Sequence, residues 1–154
     1  MEVFTNTVSK QEEKPAKTTM SGISPTEVGP PAVYGGDSQT LNPEEMFVAS
    51  INTCIMLMFY YFAKKLKVEV SSYFSKAEGK VEKTKNGLRF TCVEVKAKVS
   101  LSDENQAEKI EEIAQLAEKY CLVSGSVACD VSYKIEVVDE TSPAISKTES
   151  VKQL

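Results

Sequence analysis

Histidine is absent from the 154 residues of this chain. Its absence excludes Ser-His-Asp and Cys-His catalysis, together with zinc and haem sites built on imidazole. Arg89 is the single arginine, so bidentate clamps for carboxylates or phosphates have little scope. Any chemistry must therefore come from cysteine, carboxylates, lysine, hydroxyl groups and the backbone.

An excess of positive charge is also lacking. The formal net charge is -4 at pH 7, and acidic and basic residues are interspersed, so we expect no nucleic-acid partner. The N-terminus lacks the positively charged segment followed by an apolar segment that is typical of a signal peptide. The apolar segment 46–63 is only just long enough to cross a bilayer and contains Ser50, Asn52 and Thr53. We expect a cytoplasmic protein with no membrane partner, in which the four cysteines are reduced.

Residues 42–66 are predicted to form the long central helix of the fold. Asn42 suits the N-cap, Pro43 suits the first helical position, and Glu44 and Glu45 favour the positive end of the helix dipole. The residues that follow are apolar on nearly every side. Such a helix must be buried all round, either by a sheet that wraps it or by a second copy of the chain.

The segments on either side of this helix contain strand signals. Residues 2–8 are predicted to form a first short strand, and the segment 18–41, rich in glycine and proline, is predicted to be mostly loop. Residues 68–83 and 88–101 are predicted to be long strands. The Asn86-Gly87 step between them is typical of a tight hairpin turn.

The C-terminal part is predicted to contain an amphipathic helix over 102–120, whose apolar stripe ends at Cys121, and a last strand at 131–137. This order of elements predicts an α+β domain. We expect one domain over residues 1–139 and a polar, frayed tail over 140–154.

Cysteine is the residue type most able to carry chemistry here. Cys54 lies in the middle of the central helix, and Cys121 lies at a predicted helix end beside Ser124-Gly125. A cysteine on an apolar helix is usually packing, and Cys92 and Cys129 are interpreted in that way. No C-x-x-C pair exists and the spacings are wide, which disfavours a four-cysteine zinc site, so neither a metal nor a cofactor is expected.

Three segments, taken in order, resemble the OsmC/Ohr family of thiol peroxidases. The segment YGGD at 34–37 leads into NPEEMF at 42–47, which is similar to the family's glycine-rich approach and helix start. Cys54 follows Glu44 at the family's spacing. The segment AEKYCLVS at 117–124 looks like the family's second-cysteine motif, which ends in C-P-x-S. The likeness extends over roughly residues 34–138.

The resemblance implies an OsmC-like fold and an intertwined homodimer, in which antiparallel sheets of both chains wrap the long central helices. It implies thiol-dependent reduction of organic hydroperoxides at sites on the subunit interface. Cys54 would attack the hydroperoxide, Cys121 would resolve the sulfenic acid as a disulfide, and Glu44 would be the active-site carboxylate. A dithiol, lipoyl-type in the Ohr branch, would then reduce the disulfide.

The sequence departs from the family pattern at two positions. The family's catalytic arginine precedes the helix and has no counterpart here, and Leu122 replaces the proline after the second cysteine. A buried thiol is mostly protonated at neutral pH, so another group must favour the thiolate. Lys14, Lys17, a backbone N–H cluster in residues 21–36 and a lysine of the partner chain all remain open.

The spacing of two site residues suggests how the site is shared. Glu44 and Cys54 are ten residues apart, about 15 Å along a straight helix. We therefore hypothesise that Glu44 meets Cys54 of the other subunit. The missing arginine also supports an alternative function, a non-catalytic OsmC-like dimer that binds a small apolar ligand or acts as a redox sensor.

Overall fold

The structure is a computed structural model that describes residues 1–11 and 14–139. The chain divides into two compact units, Met1–Phe47 and Val48–Leu154. The predicted tail at 140–154 lies outside the described residues. The single domain expected up to residue 139 stays a prediction.

The first unit contains a three-stranded antiparallel sheet of β1 (Asn6–Ser9), β2 (Ala16–Met20) and β3 (Thr26–Val28). The predicted N-terminal strand exists, but it begins at Asn6. The segment 18–41 is mostly loop, as predicted, but it also contains the end of β2 and all of β3. Residues 21–25, which include two of the predicted turn positions, connect β2 to β3. Gly22 has a positive φ of 78° there, which glycine tolerates.

The central helix, α1 (Pro43–Lys65), forms as predicted. The side-chain oxygen Oδ1 of Asn42 accepts a hydrogen bond from the backbone N–H of Glu45 at 2.8 Å, which is the expected N-cap. Lysines occupy the last turn of the helix, at the negative end of its dipole.

Within one chain, α1 buries only one stripe of its surface. Ile51, Ile55, Phe59 and Ala63 recur every four residues and are at most 2% exposed, whereas Leu57 is 59% exposed. All-round burial is therefore not reached within a single chain. By length and composition the helix could cross a bilayer, but that is weak evidence, since core helices of soluble proteins meet the same criteria.

The second unit contains a sheet of β4 (Val70–Thr84), β5 (Gly87–Leu101) and β6 (Asp130–Val137), in that order. Lys85 and Asn86 form the predicted hairpin turn, and Gly87 adopts a φ of 94°. The sheet was expected to be antiparallel, but β6 pairs with β5 in parallel. The reason is that a helical crossover, rather than a hairpin, connects these two strands.

That crossover contains the second helix. Asp103 caps a 3-10 segment, Glu104–Lys109, by accepting from the N–H of Asn105 at 3.0 Å, and α2 (Ile110–Tyr120) follows. The predicted helix is therefore α-helical only from Ile110 onward. Its apolar stripe packs with α1 and the inner face of β5 into one core, formed by Phe59, Ala63, Val68, Val99, Leu101, Ile110, Ile113 and Ala117.

Candidate functional site

Cys54 lies halfway along α1, beside the buried stripe rather than within it. Its neighbours Ile51 and Ile55 are fully buried, whereas Leu57, one turn further along, is exposed. Cys54 itself is half-buried and its thiol is free. The α1 thiol is thus partly open to approach.

Cys121 is the C-cap of α2 and is only 2% exposed. It continues the buried stripe of that helix, because residues four apart lie on one helix face and Ala117 is also buried. The backbone of Cys121 is extended, with φ -69° and ψ 108°. The helix therefore ends at this residue, and its thiol faces the core.

The structure brings the two predicted thiols near each other. Cys54 and Cys121 are far apart in the sequence, yet their side chains interact. Burial is the main cause that raises the pKa of the Cys54 thiol, and the neighbouring Cys121 raises it further. Oxidation can join two neighbouring free thiols as a disulfide.

Backbone groups of the turn that follows Cys121 act in the opposite direction. The backbone N–H groups of Val123 and Leu122 lower the pKa of the Cys54 thiol. The next N–H, that of Ser124, donates to the Cys121 sulfur at 3.4 Å. Backbone N–H groups beside a sulfur favour its anionic form, so this turn partly offsets the effects that raise the pKa of Cys54.

Two further hydrogen bonds hold this turn in shape. The N–H of Gly125 donates to the carbonyl oxygen of Cys121 at 3.0 Å, and the Ser124 hydroxyl donates to the same oxygen at 3.2 Å. Because both bonds end on Cys121, the turn is tied to the residue that carries the second thiol.

These donors were not predicted from the sequence. Lys14, Lys17, residues 21–36 and a partner lysine were left open, whereas the backbone groups that lower the pKa of Cys54 belong to the turn after Cys121. A signal was present at Leu122, which replaces a proline of the family motif. Proline has no backbone N–H, so any other residue there supplies one more donor.

Glu44 lies in the first turn of α1 and belongs to the first unit. Its oxygen Oε2 is buried and has no hydrogen-bond partner among the described residues. Buried polar atoms normally have partners, so this oxygen calls for a donor from outside that part of the chain.

A groove of about 370 Å³ in the first unit includes this glutamate in its wall. The other residues of the wall are mainly apolar: Ala16, Val28, Gly29, Pro30, Pro31, Tyr34 and Pro43. The groove therefore combines an apolar surface with a single carboxylate.

Cys92 and Cys129, interpreted as structural, are half-buried free thiols; Cys92 lies on β5, and Cys129 lies in the bend just before β6. Over residues 1–11 and 14–139, no three side chains of cysteine, aspartate or glutamate are grouped so that they could hold a metal ion.

Comparisons with known proteins agree with this arrangement of elements. The sequence model of a family described as "OsmC-like protein" matches residues 35–136. A search of curated protein sequences found no match.

Solved structures share the fold. An OsmC-like protein of unknown function from Vibrio cholerae superposes with a TM-score of 0.77 at 24% identity, over 90% of this chain and 100% of that one. An organic hydroperoxide resistance protein from Elizabethkingia anophelis superposes with a TM-score of 0.70 at 18% identity, over 90% of this chain and 97% of that one. The OsmC organic hydroperoxide resistance protein of Legionella pneumophila superposes with a TM-score of 0.67 at 19% identity, over 89% of this chain and 98% of that one. At these identities the likeness concerns the fold.

Proposed function

Because this chain belongs to the OsmC-like protein family, we propose that it reduces organic hydroperoxides, with Cys54 as the peroxidatic thiol and Cys121 as the resolving thiol. Membership of the family suggests a role in peroxide detoxification or stress response. The proximity of the two thiols is the observation that carries the more specific proposal.

In the first step the Cys54 thiolate attacks the terminal oxygen of the hydroperoxide. The O–O bond breaks, an S–O bond forms, and Cys54 becomes a sulfenic acid while the alkoxide leaves and takes up a proton. The N–H groups of Leu122 and Val123 support this step, because they stabilise negative charge on the attacking sulfur.

In the second step the Cys121 thiol attacks the sulfur of that sulfenic acid. The S–O bond breaks, water leaves, and a disulfide joins the two cysteines. An external dithiol, for which a lipoyl-type compound is our candidate, then exchanges with the disulfide and returns both thiols.

The difference in exposure between the two thiols supports this division of roles. Cys54 is half-buried, so a substrate can approach it, whereas Cys121 is 2% exposed. A resolving thiol needs access only to its neighbouring sulfur, and the interaction of Cys121 with Cys54 supports that role.

We further propose that the protein is a cytoplasmic homodimer. Leu57, Tyr60 and Tyr61 leave an apolar surface on α1 that one chain does not cover, and a second copy would bury it. The four free cysteines suit a reducing compartment.

In this dimer we propose that Glu44 acts as the active-site carboxylate of the other subunit's site. Helix α1 is continuous from Pro43 to Lys65, so about 15 Å of helix separates Glu44 from Cys54 of its own chain. The unpartnered Oε2 of Glu44 would then accept a hydrogen bond from a group at that shared site.

The central test is thiol loss after addition of an organic hydroperoxide such as tert-butyl hydroperoxide. We expect wild type to lose two thiols in a rapid phase. The Cys54→Ser variant should lack this rapid phase. Cys121→Ser should instead accumulate a sulfenic acid that dimedone labels. Trypsin leaves Cys121 and Cys129 on one peptide, so the cross-link to Cys54 must be mapped with chymotrypsin.

The matched control is Cys92→Ser, which removes a thiol outside the site and should leave the fast phase unchanged. Equal thiol loss in wild type and in Cys54→Ser would reject the proposal.

Two observations favour a second candidate function, a non-catalytic dimer that binds a small apolar ligand. The pKa of Cys54 is raised, which lowers the thiolate fraction at neutral pH, and the first unit holds a mainly apolar groove. In that case Cys54 would stay inert to hydroperoxide while an apolar probe still binds.

A further inference from the structure

A polar pair joins the central helix to the sheet. The hydroxyl of Ser75, on the more buried face of β4, donates a hydrogen bond to the side-chain oxygen Oδ1 of Asn52, on α1, at 2.8 Å. Both side chains are half-buried. Ile51 and Ile55, on either side of Asn52 along the helix, are fully buried. The bond therefore lies at the margin of an apolar contact.

A second contact lies one helical turn away and involves the same strand. A Cβ atom added at Gly79 would lie 2.7 Å from Cγ2 of Val48, so glycine permits this close approach of α1 to β4. Val48 and Asn52 are four residues apart on α1, and Ser75 and Gly79 are four apart on β4. The helix and the strand therefore run in opposite directions here, and the two contacts restrict displacement of α1 along β4.

Rotation of α1 about its own axis is opposed mainly by the polar pair. Apolar contacts have no preferred direction, whereas a hydrogen bond weakens steeply when its angle is distorted. Asn52 and Cys54 are two residues apart, which places them roughly 160° apart around the helix axis. A rotation that breaks the bond to Ser75 therefore also moves Cys54. For a side-chain atom roughly 5 Å from the axis, about 20° of rotation gives a movement of about 2 Å.

A different set of contacts holds Cys121. It ends the buried stripe of α2, and Ile113 and Ala117 of that stripe pack into the core together with Val99 of β5. A disulfide needs Cβ atoms about 3.5–4.5 Å apart, so a displacement of about 2 Å decides whether the bond can close. The orientation of α1 on the sheet therefore controls whether Cys54 and Cys121 can be joined.

We propose that Asn52 and Ser75 are positioning residues, whose hydrogen bond sets the rotation of α1 so that Cys54 stays within reach of Cys121. Both act through the helix rather than on the reacting sulfurs. A directional polar pair at an apolar contact is suited to fixing register. This inference rests on the proposed function for the roles of the two thiols, and it names what aligns them.

The test measures the equilibrium between the two thiols and their disulfide in mixtures of reduced and oxidised glutathione. The full chain carries Cys92→Ser and Cys129→Ser, so that only Cys54 and Cys121 react. Closure of the disulfide removes two electrons and two protons from the protein, and one oxidised glutathione takes them up to become two thiols. We expect Ser75→Ala to lower the equilibrium constant for closure roughly threefold to tenfold, which corresponds to one hydrogen bond.

Asn52→Ala should have the same effect as Ser75→Ala. The double variant should show no more than either single variant, because both substitutions remove the same bond. The matched control is Tyr133→Phe, which removes a half-buried hydroxyl that lies 3.1 Å from the Tyr73 hydroxyl. That pair joins β4 to β6, so its loss should leave the equilibrium constant unchanged even where it lowers stability.

Three results would each overturn the proposal: a change of less than about twofold in the single variants, additive effects in the double variant, or an equal change in Tyr133→Phe. Circular dichroism checks folding, and either single variant tests the bond if the other does not fold. Hydroperoxide is absent from this assay. A protein that is inert to hydroperoxide but shows the expected shift would therefore reject the proposed function alone.

Discussion

The two helices of the second unit bury their apolar surfaces to different extents. From Val48 onward α1 is apolar on nearly every side, yet it buries a single stripe and leaves Leu57, Tyr60 and Tyr61 exposed. Helix α2 is amphipathic, buries its apolar stripe, and directs Glu111, Glu112 and other polar residues to solvent. One chain thus completes the packing of α2 but not that of α1.

Each helix also carries one thiol, and the two thiols differ in exposure in the same way as the two helices. Cys54 lies half-exposed beside the incompletely covered surface of α1, whereas Cys121 lies buried where the stripe of α2 ends. The incompletely covered helix therefore holds the more exposed thiol, and the fully packed helix holds the buried one.

Truncating the buried stripe of α1 is expected to have the largest effect. Phe59 is fully buried and belongs to the shared core, so Phe59→Ala should lower the free energy of unfolding by about 3–5 kcal/mol through lost transfer energy and a cavity. Chemical denaturation followed by circular dichroism at low protein concentration measures this. Leu57→Ala, on the exposed side of the same helix, should change it by less than about 0.5 kcal/mol. Equal losses would mean that the two sides of α1 are buried alike.

Placing a charge on the exposed side of α1 tests whether a second copy covers it. Leu57→Lys should weaken self-association by roughly a hundredfold or more, because an unpaired charge inside an interface is costly. Sedimentation velocity over a concentration series measures the change. Gln115→Lys, on the solvent side of α2, is the matched control and should associate like wild type. A Leu57→Lys variant that associates normally would contradict the proposed interface.

Removing one N–H beside Cys54 is expected to have the smallest effect. Leu122→Pro deletes a donor and should fold, since the Leu122 side chain is 70% exposed and the extended backbone of Cys121 permits a following proline. A hydrogen bond contributes about 0.5–1.5 kcal/mol, so Cys54 should react roughly threefold to tenfold more slowly at neutral pH. Leu122→Ala keeps the N–H and is the control.

The pH profile of the same reaction identifies the cause. Because burial raises the pKa of Cys54 and only the thiolate reacts, the iodoacetamide rate should increase about tenfold per pH unit below the pKa. Leu122→Pro should shift this profile to higher pH. A profile that falls in height without shifting would mean that the N–H does not act on the thiolate.

Most of the secondary structure could be predicted because its signals are local. The cap at Asn42, the Asn86-Gly87 turn and the alternation along β5 each depend on residues close together in the chain. The strands β2 and β3 were missed because they are short and their sequences, AKTTM and TEV, lack a run of alternating apolar residues. Their pairing with each other, rather than their composition, makes them strands.

The amino-acid sequence alone determined the order of elements, the long apolar helix and the choice of Cys54 and Cys121 as candidate site residues. It could do so because periodicity, capping and motif spacing are properties of neighbouring residues. Only the tertiary structure decided that β6 runs parallel to β5, that Cys121 comes near Cys54, and that the turn after Cys121 places its N–H groups beside the sulfurs. Each of these relations joins residues distant in the chain. Their geometry depends on how the crossover through α2 packs against the sheet, and no local pattern encodes it.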